Sequence, residues 1–231
     1  MKRFFGEKYK DKIIVKDSEF NHMKKVLRMQ EGDEVLASIN DENDYYCVIE
    51  KMDKNQATLS IQNVKVCPAL PKKNIVLFQM LPKKEYLDNI IAKSIELGVS
   101  KIIPFTSEYT MIKDIKEERV FAQIMTACKQ CGRSKLIEFE KCIKFEQIFE
   151  KLNDFDIVLF AYEKETEILN PELLKDKQNI AIIVGNEGGF SEKEGEILKK
   201  NSTSISLGSR ILRCDTAVIT MLSLVSVLTN N

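Results

Sequence analysis

The residues best suited to bind a ligand lie in a glycine-rich segment of the last quarter of the chain. The sequence has nine glycines, and residues 184–191 read Val-Gly-Asn-Glu-Gly-Gly-Phe-Ser, directly after an apolar run typical of a buried parallel strand. Open α/β sheets bind ligands at the carboxyl ends of their strands, and glycine lets backbone groups approach a ligand closely. Neither the dinucleotide-binding glycine pattern nor a P-loop is present. The segment is predicted either to hold another kind of ligand or to serve only as a turn.

A second loop, residues 207–213, has the same position between a short apolar strand and a helix. It contains Gly208 and two arginines, Arg210 and Arg213. Guanidinium groups three residues apart in a loop are poorly placed for a core and suit an anion or the edge of a base. The alternative is a solvated pair beside a helix cap formed by the Asp and Thr that follow.

The elements that must position these loops alternate between strands and helices. Apolar runs predict the strands, and amphipathic patterns predict the helices, one of which Gly98 ends. The predicted strands are 75–79, 102–105, 157–161, 180–184 and 204–207, and the predicted helices are 85–97, 117–128, about 145–152, 192–200 and 216–228. A capping box of Ser191 and Glu194 opens the fourth helix. This alternation predicts an α/β domain with a mostly parallel sheet.

The first third of the chain has a different pattern of predicted elements. A short helix at 18–27, capped by Ser18, is predicted to precede strands at 35–39, 45–51 and 57–64, the last with alternating apolar and polar residues. Short, mainly antiparallel strands with one helix predict a compact β-barrel module. A linker with two prolines and three lysines follows. The predicted domains are 1–70 and 71–231.

Composition limits the classes of protein to which the chain can belong. Lys and Arg number 35 and Asp and Glu number 35, which argues against a non-specific polycation but allows a local basic stripe. A hydrophobic content of 44% excludes wholesale disorder. The first residues contain no apolar signal segment, and the longest apolar stretch, 217–228, is too short to span a bilayer. Six cysteines without an export signal indicate reduced thiols in the cytoplasm.

The cysteine spacing does not predict a metal site. Cys128 and Cys131 form a Cys-x-x-Cys pair at the end of a predicted helix, the chain has no second such pair, and His22 is the single histidine. A structural zinc site needs four ligands. The two cysteines are therefore interpreted as small packing residues.

The two ligand-binding loops together resemble the signature of a known family. VGNEGGFSEKE at 184–194, followed by LGSRILRCDTA at 207–217, closely resembles the RsmE family of bacterial ribosomal RNA methyltransferases, of the SPOUT superfamily. HMKKVLRMQEGDEV at 22–35, AKSIELGVSKIIPF at 92–105 and TACKQCGR at 126–133 resemble further segments of that family, in the same order. The resemblance covers nearly the whole chain.

The resemblance implies a fold, a cofactor and a reaction. The fold is a trefoil-knotted SPOUT domain with an N-terminal PUA-like β-barrel domain, assembled as an obligate homodimer. The reaction is methylation of N3 of one uridine in small-subunit (16S) rRNA, with S-adenosylmethionine (SAM) as methyl donor. The residues expected to contact SAM are Gly185, Asn186, Glu187, Gly188, Gly189, Leu207, Gly208, Ile211 and Leu212. The three apolar side chains among them are expected to face the adenine, and Gly189→Val is expected to block the pocket while the fold survives.

The resemblance also gives a role to a basic segment of the first domain. Without that context, a helix with one histidine and three basic side chains is interpreted as a solvated basic face. With it, the same side chains are predicted to contact RNA phosphates, which positions the substrate and carries little sequence information. The predicted RNA contacts are His22, Lys24, Lys25, Arg28, Gln130 and Arg133.

Methylation of a uridine at N3 needs a group that removes the N3 proton and a cation that stabilises the charge left behind. Arg213, ahead of Arg210, is the candidate cation, and Glu187, ahead of Asp215, is the candidate proton acceptor. Two positions depart from the family pattern. Asn186 stands where the family usually has Pro and is expected to loosen the loop. Asp215 replaces the usual Glu, which shortens the carboxylate by one methylene.

Two other functions stay open on the sequence. One is a non-catalytic RNA-binding or ribosome-assembly protein with the same fold, and the other is a SPOUT methyltransferase that acts on tRNA. A dimer is favoured independently, because the predicted helix 216–228 has apolar residues almost all the way round and one core covers only part of that perimeter.

Overall fold

The computed structural model describes residues 1–111 and 115–229. These residues form two β-sheets, one in each of two compact units. The units comprise residues 1–70 with 128–136, and residues 71–127 with 137–231.

Residues 128–136 pack with the first unit, whereas the sequence predicts them in the second domain. The Ser134 hydroxyl donates to the carbonyl oxygen of Asp41 at 2.8 Å, and the Leu136 N–H donates to the side chain of Asn40 at 2.9 Å. These hydrogen bonds join residues more than ninety positions apart. The local sequence pattern does not indicate them.

The first unit contains a six-stranded, mainly antiparallel sheet. Its strands are β1 (Lys2–Phe5), β2 (Glu7–Tyr9), β3 (Lys12–Lys16), β4 (Glu34–Ser38), β5 (Asn43–Met52) and β6 (Gln56–Val66), in the order β1-β4-β5-β6-β3-β2. Only the β1–β4 pair is parallel among the described strands of this sheet. The three predicted strands are confirmed. The first three strands were not predicted, because none exceeds five residues and β2 is exposed throughout.

The predicted helix at 18–27 is wrong in its cap and in its geometry. Helix α1 spans only Asp17–Asn21, begins without a side-chain cap, and passes into a π-helical turn at His22–Val26. The Leu27 N–H donates to the His22 carbonyl oxygen at 3.0 Å, which is the five-residue step of a π-helix. The wider turn accompanies burial of Met23, which is 0% exposed in the core of this unit.

The second unit contains a parallel sheet with helices between its strands. The strands are β7 (Asn74–Met80), β8 (Lys101–Thr106), β9 (Glu138–Phe139), β10 (Ile143–Lys144), β11 (Ile157–Ala161), β12 (Asn179–Val184) and β13 (Thr203–Ile205). The helices are α2 (Lys84–Glu96), α3 (Glu117–Cys131), α4 (Phe145–Leu152), α5 (Glu192–Asn201) and α6 (Cys214–Thr229), with a 3₁₀ turn at Pro171–Leu174. Every predicted strand and helix of this part is confirmed, as is the capping box at Ser191.

The strand order of this sheet marks where a ligand is expected. The order is β10-β8-β7-β12-β11-β13, with β9 beside β8. The chain runs outward from β7 through β8 to one edge, and then returns to the other side of β7 for the remaining strands. The topological switch point therefore lies between β7 and β12, and ligands of open α/β sheets bind at the carboxyl ends of strands at such points. The glycine-rich loop follows β12. The trefoil knot implied by the resemblance stays a prediction.

The two neighbouring strands β7 and β12 are mainly apolar and are buried on both faces. In β7 and β12 all but the first residue are buried, as is typical of parallel strands covered by helices. Over residues 1–111 and 115–229, no helix combines the length and the apolar character needed to cross a membrane.

Candidate active site

Three loops, each following one of three neighbouring parallel strands, line a single cavity. They follow β11, β12 and β13, which are adjacent in the sheet, so their carboxyl ends lie at the same edge. The cavity has a volume of about 240 Å³. All nine residues predicted to contact a cofactor line it, together with Ala161, Tyr162, Glu163, Val184, Phe190, Arg210, Cys214 and Ala217. Their role as cofactor contacts stays a prediction, but the structure brings them together.

The loop after β12 is fastened, not loosened, by Asn186. Its side-chain amide donates to the carbonyl oxygens of Leu81 and Tyr109, both at 3.3 Å, and its Oδ1 accepts from the Gly188 N–H at 2.9 Å. The Gly189 N–H closes the turn on the Asn186 carbonyl oxygen at 3.1 Å. These three hydrogen bonds argue against the expectation that Asn at this position loosens the loop, because they tie the loop to residues 81 and 109 and to its own backbone.

Gln79 is a residue of this site that the sequence prediction missed. It is 0% exposed near the end of β7, and its Nε2 donates to the carbonyl oxygen of Gly185 at 3.2 Å and to that of Met80 at 2.8 Å. A buried amide that bonds the first residue of the glycine-rich loop fixes where the loop leaves the sheet. The sequence does contain a signal, since Gln79 is a polar residue within the apolar run of residues 75–80.

Two glycines of the cavity adopt the left-handed backbone conformation that side chains disfavour. Gly189 has φ +65° and Gly208 has φ +109°. A Cβ at Gly208 would meet no atom within 4 Å. The structure changes the expectation for Gly189→Val, because a β-branched residue at this φ strains the backbone whatever the space around it. A loss of ligand binding in Gly189→Val would therefore not show whether the new side chain blocks the pocket or strains the loop.

The predicted catalytic residues divide into two groups. Glu187 and Arg210 line the cavity, whereas Arg213 and Asp215 do not. Glu187 Oε1 accepts from the backbone N–H of Lys83 at 3.0 Å. The first pair therefore lies where a ligand in the cavity could contact it, and the second pair lies outside the cavity.

The two residues outside the cavity have separate surroundings. Asp215 Oδ2 accepts from the Asn89 side chain at 2.9 Å. Arg213 is exposed and forms no ion pair with any residue that the structure describes, so an ion pair with Asp215 does not hold the loop. Its guanidinium is directed to solvent.

Cys214 lines the cavity as a neutral thiol. It is 4% exposed, and burial, reinforced by the negative charges of Glu187 and Asp215, raises the pKa of the thiol to about 12. Thiolates, and not thiols, act as nucleophiles. Burial of Cys214 therefore disfavours the thiolate that nucleophilic catalysis by cysteine would need.

The residues predicted to contact RNA differ in accessibility. Lys25, Arg28 and Gln130 are exposed. Lys24 is exposed too, but its Nζ donates to the Asp53 carbonyl oxygen at 3.2 Å. His22 is half-buried, with its ring edge against Phe4 at 6.2 Å between ring centroids. These side chains all belong to the first unit.

Arg133 does not fit the prediction of an RNA contact. It is 4% exposed, and burial lowers the pKa of its guanidinium. Its backbone N–H donates to the Cys128 carbonyl oxygen at 2.9 Å, just after Gly132 ends α3 at φ +84°. A buried guanidinium has a structural role in this conformation, and the motif resemblance alone did not show that it is enclosed.

Comparison with known proteins places the whole chain among RNA-modifying enzymes. A family described as RNA methyltransferase domain matches residues 68–226, and one described as RNA methyltransferase PUA domain matches residues 15–62. The ribosomal RNA small subunit methyltransferase E of Rickettsia conorii is 30% identical over 220 residues, which cover 93% of this chain and 89% of that protein. The protein of the same name from Bacillus subtilis is 30% identical over 247 residues, covering 98% and 96%. A methyltransferase structure from Legionella pneumophila, solved in complex with the cofactor SAM, has a TM-score of 0.88 and 26% identity, covering 97% of this chain and 96% of that one.

Proposed function

The chain belongs to the RsmE family of RNA methyltransferases, and on this premise we propose that it transfers the methyl group of SAM to N3 of a uridine in 16S rRNA. One observation carries the proposal. The nine residues expected to contact SAM come from two separate loops, and all of them line one cavity at the carboxyl edge of the sheet, beside its switch point.

The residues of the cavity suit SAM in shape and charge. Space beside Gly208 is open to a ligand, because a Cβ there would meet no neighbouring atom within 4 Å. Leu207 and Leu212 offer apolar surface to an adenine, while Glu163 and Glu187 offer negative charge to a ligand that is cationic at sulfur. With Arg210 also in the lining, two carboxylates and one guanidinium leave a net negative charge, which favours SAM over an anionic nucleotide.

The protein has little covalent chemistry to perform. Bound SAM supplies a methyl group already activated on a sulfonium, so the residues around it orient the donor and the acceptor. Arg210 lines the cavity and is the cation placed to stabilise the charge that develops on the uridine carbonyl oxygens. Arg213, outside the cavity, is better suited to a phosphate.

The first unit supplies an RNA-binding surface in this proposal. Lys25 and Arg28 are exposed on the segment around the π-helical turn, and neither forms an ion pair within residues 1–111 and 115–229. Exposed cations of this kind suit phosphates of an RNA backbone. The substrate is then 16S rRNA, alone or in the small ribosomal subunit, and the protein works in the cytoplasm.

We also propose a homodimer formed through α6. Val218, Met221, Leu222 and Val225 are buried within the unit. Leu224, Val227 and Leu228 lie 38%, 79% and 41% exposed. This apolar strip is left over after α6 has packed on its own unit, and a second copy of the helix would cover it. A monomeric mass by light scattering at micromolar concentration would contradict this.

Calorimetry with SAM tests the proposed function against its non-catalytic alternative. A methyltransferase is expected to bind SAM with a one-to-one stoichiometry per chain, whereas an RNA-binding protein without the activity is not. Comparing purified 16S rRNA with purified tRNA as methyl acceptors tests the second alternative. Methylation of tRNA alone would refute the assignment to rRNA.

A further inference from the structure

A second cavity, of about 400 Å³, adjoins the proposed SAM cavity. The two cavities share four residues, Glu163, Gly208, Arg210 and Ile211. The remaining lining of the second cavity is mostly polar, with Lys164, Glu165, Thr166, Ser206 and Ser209 beside Ile168. A cofactor in the first cavity would therefore face this second space across a junction built from those four residues.

Two carboxylates line the second cavity, and one of them is fully engaged. Glu165 accepts from the Ser204 hydroxyl at 2.6 Å and from the Thr166 N–H at 3.0 Å, and it forms an ion pair with Lys199 at 3.4 Å. The bond from Ser204, followed by that from Thr166, lowers the pKa of Glu165 to about 2. A carboxylate held so firmly in its ionised form is a poor proton acceptor.

Glu163 is the other carboxylate, and it lies at the junction. It forms no hydrogen bond or ion pair with any residue that the structure describes, because the neighbouring Lys164 is paired with Glu192 at 3.2 Å instead. Its Oε1 lies 3.6 Å from the position that a Cβ on Gly189 would occupy, so it borders the glycine-rich loop directly. It is an ionisable group with no structural partner, set between the two cavities.

We propose that the second cavity receives the acceptor uridine and that Glu163 accepts its N3 proton; this inference rests on the proposed function. The methyl acceptor must stand beside the donor, and the junction is where a group can touch both. Arg210 lies at the same junction and can donate to a uridine carbonyl oxygen, while Ile211, which is 91% exposed, offers an apolar surface to the face of the base. Glu187 is less suited to accept the proton, because it lines the first cavity only and already accepts the Lys83 N–H.

The proposed step balances in atoms and electrons. The N3–H bond of the uridine breaks and its proton passes to the Glu163 carboxylate. The electron pair left on N3 forms the new bond to the methyl carbon. The bond from that carbon to sulfur breaks, and its electrons neutralise the sulfonium to give S-adenosylhomocysteine. No oxidant, reductant or metal takes part.

Glu163→Gln tests this assignment in the full-length protein, because it keeps the size of the side chain and removes its basicity. With saturating SAM and 16S rRNA, the single-turnover rate is expected to fall by about a hundredfold or more, within the range for loss of a general base. SAM affinity, measured by calorimetry, is expected to change by less than about tenfold. Glu167→Gln, in the same exposed loop but lining neither cavity, is the matched control and is expected to keep the wild-type rate.

The pH dependence separates a proton acceptor from a merely structural residue. At higher pH the uridine loses its N3 proton to solvent, so the deficit of Glu163→Gln relative to wild type is expected to shrink. A near-normal rate, a deficit that stays constant with pH, or a loss of SAM affinity as large as the loss of rate would each overturn the assignment. Failure of the wild-type protein to bind SAM or to methylate rRNA would instead refute the proposed function itself.

Discussion

At the carboxyl edge of the parallel sheet, the side chains proposed to act in catalysis come from loops that are far apart in the chain, whereas the exposed cations proposed to contact RNA lie within residues 24–28. Glu163, Glu187 and Arg210 follow three different strands and face cavities. The three cations at positions 24–28 are exposed, and one of them, Lys24, also donates to the carbonyl oxygen of Asp53. The comparison shows two ways of using charge. Catalysis needs charged groups at fixed positions, which the register of the strands provides. Attraction of a polyanion needs only a local excess of cations.

Apart from Glu163→Gln, the largest effect is expected from the arginine inside the cavity. Arg210→Ala is expected to lower the single-turnover methylation rate by about a hundredfold, since it removes one donor that acts on developing charge, with less than about a tenfold change in SAM affinity. Arg213→Ala is expected to have a smaller effect, because Arg213 lies outside the cavity. This reverses the order that the sequence suggests. A larger loss of rate for Arg213→Ala than for Arg210→Ala would show that the cavity does not define the reacting site.

A smaller effect is expected when the loop itself is loosened. Asn186→Ala removes three hydrogen bonds that fasten the glycine-rich loop, each worth about 0.5–1.5 kcal/mol. SAM affinity is expected to fall by about tenfold. Asn201→Ala, which removes one side-chain bond at the end of α5, is the control and is expected to leave calorimetric SAM affinity unchanged. An unchanged affinity for Asn186→Ala would mean that the loop holds its shape without this side chain.

In the first unit, changes of charge are expected to act on RNA binding alone. Lys25→Glu and Arg28→Glu are expected to weaken 16S rRNA binding and to lower the dependence of log affinity on log salt by about 0.7–0.9 for each phosphate that the variant no longer neutralises. SAM affinity should stay at the wild-type value. Lys175→Glu makes the same change of charge at an exposed position of the second unit. If it weakened RNA binding equally, the basic segment would have no special role.

The smallest effect is expected in the free energy of unfolding at acid pH, through Glu165 in the loop beside the second cavity. The pKa of Glu165 is lowered from 4.5 to about 2, mainly by the Ser204 hydroxyl. Its contribution to the free energy of unfolding is therefore present above pH 4.5 and is lost as the pH falls toward 2. The free energy of unfolding is measured with denaturant above and below pH 4.5. On going to the lower pH, Glu165→Gln is expected to lose less of this free energy than wild type. Equal losses would show that this carboxylate titrates alike in the folded and unfolded protein.

Local pattern predicted most of the second unit because its elements are long and strongly apolar. The strand 157–161 was predicted to the residue, and the helix buried through Leu87, Ile90 and Ile95 has the predicted face. The strand-end rule found the glycine-rich loop, and the same rule applied after β11 would have found Glu163. No glycine follows β11, so the local sequence does not mark the end of that strand as a ligand-binding loop.

What the sequence did not predict depends on long-range packing. The π-helical turn accompanies the burial of Met23, and Arg133 is buried in a segment, residues 128–136, that packs with the first unit. Neither is encoded in the periodicity of the segment concerned. Gln79 is an intermediate case. A polar residue in an apolar run is visible in the sequence, but the residue to which it donates, Gly185, is more than a hundred positions away.

Nucleoside mass spectrometry of 16S rRNA tests the central claim most directly. Unmodified 16S rRNA would be incubated with the purified protein and SAM, digested to nucleosides and compared with a reaction that lacks SAM. The account predicts 3-methyluridine at a single site, formed only when SAM is present. Absence of methylated nucleoside, or methylation at any atom other than uridine N3, would contradict it.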